Sequence, residues 1–104
     1  MLIAFSVSPS GRDNPNGSVH DAVAAAIEIV RASGLPNHTD SMFTTIEGEW
    51  DECFDVVKLC CEAVGTFGPR VALVVKADIH PGYKGELTGK LDRLEAALQE
   101  RDEV

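Results

Sequence analysis

No stretch of this 104-residue sequence approaches the ~20 consecutive apolar residues of a membrane span. The opening run Met1–Val7 is apolar but too short for the hydrophobic region of a signal peptide, and no basic segment precedes it. The expected location is therefore cytoplasmic. Basic residues are scarce: nine Lys and Arg stand against 17 Asp and Glu, a formal net charge of −8. A surface of that sign repels phosphate backbones and anionic headgroups, so neither nucleic acid nor membrane is an expected partner. Cysteine is limited to Cys53, Cys60 and Cys61. An odd number with two adjacent members is no disulfide framework. None forms the closely spaced pair that converges on zinc, and His20, His38 and His80 lie far apart, so no metal site is expected. Free thiols in a core are the ordinary reading of these cysteines. Also missing are a Gly-rich dinucleotide or Walker loop and a nucleophile elbow. No catalytic residue is expected, and the reading is of a protein that is not an enzyme.

What is present is an ordinary globular composition, 44% hydrophobic and 25% charged, of a length that suits one domain spanning residues 1–104. A chain this short buries only a modest core, which makes self-association an expectation. Leu2–Ser8 alternates, with Ile3, Phe5 and Val7 on one face and Ala4, Ser6 and Ser8 on the other, as a half-buried strand does. Pro9–Gly17 reads as a loop, in which Arg12 could assist a helix N-terminus; the favoured reading is a plain turn and cap. Ser18 then caps a helix, with Asp21 completing an approximate capping box. That helix carries Val19, Val23, Ala26, Ile27 and Val30 as its apolar stripe and stops at Ser33-Gly34, before Pro36.

Between His38 and Glu47 the β-forming residues Met42–Ile46 predict two short strands or one bent pair. A second helix starts near Glu49 or Trp50, with the stripe Trp50, Cys53, Phe54, Val57, Cys60, Cys61 and Val64. Gly65–Pro69 is a loop, and Arg70–Asp78 is the clearest strand in the chain. After the turn at His80–Gly85, a third helix runs from about Glu86 to Glu100 with Leu87, Leu91, Leu94 and Leu98 on one side. The order β-α-β-β-α-β with an extra C-terminal helix is that of an α+β, ferredoxin-like antiparallel sheet. Both main helices would cover one sheet face. Leu2, Ala4, Ala72 and Val74 on the other are apolar enough to need a cover, for which another subunit is the natural choice.

The carboxylates Glu49, Asp51, Glu52 and Asp55 crowd around Trp50, and Asp51 and Glu52 fit a first helical turn. Glu47 differs. It ends a strand, shares a strand face with Thr45 and lies near an indole, a pairing that suits a cationic heterocycle with an N–H edge.

At Thr45-Ile-Glu-Gly-Glu-Trp-Asp51 the chain resembles the thiamine-binding protein family. The strand end Ser6-Val-Ser-Pro-Ser-Gly11, Ser18, Ser33-Gly-Leu35, Arg70-Val71 and Lys76-Ala-Asp78 match in the same order, so the resemblance covers nearly the whole chain. It implies a ferredoxin-like fold, dimers or tetramers built through the sheets, and binding of thiamine or hydroxymethylpyrimidine without catalysis and without a cofactor. Ser8, Thr45, Glu47 and Trp50 are the ligand-site residues carried over by motif position; Ser6, His38 and Asp78 are added from strand geometry. One departure is Ser41-Met42-Phe43, where the family often has a Pro-Met-Gly-like turn, so Phe43 stands beside the expected pocket in place of a small residue. Two rivals accompany this reading. One is an oligomeric regulatory or assembly module of the same fold that binds another effector or a protein partner. The other, less supported, is an enzyme using the acids of Glu47–Asp51 or a thiol.

Overall fold

The computed structural model describes residues 1–10 and 19–102. The expected Ser18 cap and the loop bearing Arg12 lie outside the described residues. The elements in order are β1 (Leu2–Ser10), α1 (Val19–Ala32), β2 (Asn37–Thr39), β3 (Thr44–Glu47), α2 (Trp50–Val64), β4 (Arg70–Asp78) and α3 (Glu86–Asp102). The strands form one sheet in the order β2-β3-β1-β4, antiparallel throughout. This is the ferredoxin-like arrangement with an added C-terminal helix.

The core lies between one sheet face and the helices α1 and α2. Ile3 and Phe5 of β1 and Ile46 of β3 meet Ala22, Ala26 and Val30 of α1 and Cys53, Val57, Cys60 and Val64 of α2. Strand parity alone selects these sheet residues, because Ile3 is paired with Ile46 and Phe5 with Thr44, and paired residues share a face.

The helices depart from their expected stripes. α1 buries Ala22, Ala26 and Val30, whereas Val19 and Val23 are 58% and 40% exposed. Alanines at the contact let α1 and α2 approach closely: the Cys60 thiol donates to the Ala26 carbonyl at 3.4 Å. In α2, Val56 joins the core, while Trp50 and Phe54 at its start stack on each other 5.3 Å apart at the surface. The α1 C-terminus is as expected: Gly34 adopts φ 76°, the left-handed conformation that ends helices at little cost to glycine.

Two strand boundaries move. β1 runs through Pro9 to Ser10, where a loop is expected from Pro9 onward. β3 pairs with β1 only from Leu2 to Phe5, so beyond that point β1 has β4 on one side alone. A proline there withholds no ladder hydrogen bond from a neighbour. Met42 belongs to the β2–β3 turn and not to a strand. The Asp40 carboxylate accepts the Met42 and Phe43 backbone N–H groups at 2.8 and 2.9 Å, closing the hairpin and holding the Asp40 carboxyl below its usual range. The strand over Arg70–Asp78 and the α3 start at Glu86 fall where they are expected, and α3 continues to Asp102.

Candidate functional site

Register places six of the seven ligand-site candidates on the sheet face away from α1 and α2. His38 pairs with Thr45, and Thr45 pairs with Ala4; Leu2 lies between Glu47 and Asp78. Ser6 and Ser8 continue the same face along β1, opposite Val74 and Ala72. The seventh, Trp50, stands at the start of α2, 52% exposed.

The first turns of α3 sit over one end of this face. Between them and the sheet is a cavity of about 380 Å³ lined by Leu2, His38, Thr45, Leu87 and Leu91, among others. Apolar walls from Leu2, Leu87 and Leu91 offer contact to a flat ring. The Thr45 hydroxyl both donates and accepts, and the His38 imidazole carries one donor and one acceptor when neutral. Asn37, Glu86, Thr88 and Lys90 complete the lining, and with His38 and Leu91 exposed the hollow is open to solvent, an apolar floor with polar groups around it.

Glu47 is used differently. It is only 8% exposed, and its carboxylate accepts two backbone N–H groups of α3: Glu86 N–H on Oε2 at 2.9 Å and Leu87 N–H on Oε1 at 3.1 Å. The first amides of a helix have no partner within it, and the macrodipole favours negative charge there, so a buried carboxylate is well satisfied at this point. Glu47 lines a second cavity, of about 570 Å³, with Leu35, Tyr83, Thr88 and the Gly48–Glu49 turn. Trp50 lines a third, of about 230 Å³, beside the stacked His80 and Tyr83 rings. Only the first two fall within the roughly 300–1,000 Å³ of small-molecule sites. The acid and the indole read together in the sequence thus border different hollows. A further hollow, against α1 on the other sheet face, is lined by Phe5, Val7, Val23 and Ile27 and passes Ser6 and Ser8 at the strand itself. Asp78 accepts a hydrogen bond from Lys90 of α3 at 2.5 Å, which holds its carboxyl below the usual range.

Sequence reasoning did not find Leu87, Leu91, Leu35 or Tyr83 as site residues. The leucine spacing of α3 was legible as a stripe, but nothing in it tells which part of the helix lies on the sheet. The thiols take no part in any of this. Cys53 and Cys60 are buried, and burial raises both, Cys60 to about 11. Among the described residues no group of three or more His, Cys, Asp or Glu is placed to hold a metal ion, and no helix is long and apolar enough to cross a membrane.

Residues 3–95 match the family model described as "Thiamine-binding protein". The chain is 46% identical over 99 residues to UPF0045 proteins of Mycobacterium bovis and Mycobacterium tuberculosis, covering 94% of each chain. Among solved structures it is similar to a domain of unknown function, DUF77, from Bacillus cereus, with TM-score 0.71, 32% identity and 82% of both chains covered. It is also similar to a protein of Thermotoga maritima described as a candidate in thiamine biosynthesis or salvage. There the TM-score is 0.69 and the identity 26%, over 84% of this chain and 91% of the other.

Proposed function

Because the chain belongs to the thiamine-binding protein family, we propose that it binds thiamine or its hydroxymethylpyrimidine moiety, without catalysis, for supply, salvage or sensing of the vitamin. The observation that carries the reading is the cavity under α3, where Thr45 and His38, adjacent in the β2–β3 register, face Leu87 and Leu91. An aminopyrimidine is flat and presents donors and acceptors along one edge. It can lie between the leucines and exchange hydrogen bonds with Thr45 and His38. Ser6, Ser8 and Asp78 extend the polar part of the same face, and Glu47 and Trp50 border it from the β3–α2 turn. No catalytic residue, metal or cofactor belongs to this reading, and the protein would act in the cytoplasm.

The test is calorimetric titration of ligand-free protein with thiamine, hydroxymethylpyrimidine and thiamine phosphate. Saturable binding is expected with at least one of them. Thr45→Val and His38→Ala should each weaken it roughly tenfold, since each removes a hydrogen-bonding partner from a partly desolvated site. Binding untouched by both substitutions would remove the ligand from this cavity. Thiamine recovered intact after incubation is the outcome expected of a non-enzyme.

Self-association as a dimer or tetramer is part of the proposal. It also motivates the second reading, an assembly module of the same fold, because Leu91, Leu94 and Leu98 of α3 and Leu73 and Val74 of β4 are exposed. A protein that oligomerises but gives no heat with any of the three compounds would select that reading.

A further inference from the structure

We infer that Glu47 is a positioning residue: its carboxylate anchors α3 to the sheet, and α3 in turn roofs the cavity that holds Thr45 and His38. The inference rests on the ligand site proposed above and says how that site is kept closed on one side.

Four observations carry it. First, α3 has no side-chain cap of its own at the position just before it, which is Gly85; the acceptor for its Glu86 and Leu87 amides comes from β3. Second, both Glu47 oxygens are engaged there, and Glu47 is not among the residues lining the cavity of Thr45 and His38. The carboxylate therefore acts on that cavity through α3. Third, the Lys90–Asp78 ion pair that also ties α3 to the sheet is half exposed on both sides. Such surface pairs contribute little, whereas hydrogen bonds to a buried carboxylate contribute more and are costly to break. Fourth, the segment leading into α3 turns at Gly82 and Gly85, both at positive φ, and α3 beyond its first turns is exposed, with Leu94 and Leu98 54% and 45% exposed. The helix is thus attached at its N-terminal end, and removing the anchor leaves the α1–α2 core intact.

Amide hydrogen exchange on the full chain tests this, comparing wild type with Glu47→Ala and Glu47→Gln, each with and without thiamine. Without ligand, amides from Glu86 to Leu91 should exchange roughly tenfold faster or more in Glu47→Ala, the loss expected when bonds to a charged acceptor are removed. Amides of α1 and α2 should be unchanged. Glu47→Gln keeps one carbonyl acceptor and should fall between. With thiamine, wild-type α3 should become more protected, and Glu47→Ala should bind more weakly. Unchanged α3 exchange in Glu47→Ala overturns the anchor. So does acceleration spread equally over α1 and α2, which would make Glu47 a general stabilising residue. Release of α3 with no change in thiamine affinity overturns the roof while leaving the ligand site standing. Failure of wild type to bind thiamine overturns the ligand half of the inference together with the proposed function, and the ligand-free exchange then decides the anchor alone.

Discussion

Cys60 is fully buried and gives its S–H to a backbone carbonyl of the neighbouring helix. Burial disfavours the thiolate and moves this thiol from 9.0 to about 11. The folded state then holds the proton more tightly than the unfolded chain does. Its contribution to stability is complete below pH 9.0 and is lost progressively as pH rises from there toward about 11. Denaturant midpoints across this alkaline range should fall for the wild type. Cys60→Ala should show a shallower fall, with the remaining slope owed to Cys53 and Cys61, which burial also raises. An equal slope in both proteins would show that Cys60 is not the group that titrates. Glu47 makes the complementary point about a single side chain. In the sequence it is an acid near an indole; in the fold it serves a helix that begins 39 residues later. No local pattern announces a partner at that distance, so its identity as a site residue was legible while its bonding was not.

At the level of elements, alternation and punctuation were readable and helix phase was not. β4 is an apolar run rich in β-branched residues from Val71 to Val75, bounded by the Gly65–Pro69 loop and the turn after Asp78, and α3 starts directly after Gly85, so both were found at their true positions. α1 contains Ala22, Ala24, Ala25 and Ala26 among Val and Ile on several sides, which leaves little contrast in size from which to tell the inner face. Packing chose the small residues, because they allow α1 and α2 to come together. The consequence is measurable by urea denaturation. Ala26→Leu should destabilise by about 1–3 kcal/mol through overpacking. Val23→Ala, on the exposed side, should stay within about 0.5 kcal/mol. Reversal of that order would restore the valine stripe as the packed face. The seven candidate ligand residues fared similarly: strand parity put six on one sheet face, as the register shows, but parity carries no information on which helix covers them.

The whole molecule is more extended than its length requires. Its radius of gyration is 16.3 Å, against about 13 Å for a compact domain of near 100 residues. Leu94 and Leu98 of α3 and Leu73 and Val74 of β4 are exposed, while Val71 and Val75 of β4 pack against the core. Sedimentation velocity should accordingly show a species larger than one chain. Leu94→Glu with Leu98→Glu should move it toward the monomer, while unchanged sedimentation would place the contact elsewhere. The Glu47–α3 bond also has a bearing on time. The first amides of α3 find their acceptor only after the β2–β3 hairpin has presented Glu47 on the sheet, so α3 is expected to consolidate late; because Glu47 precedes Glu86 by 39 residues, synthesis delivers the acceptor well before the helix that needs it.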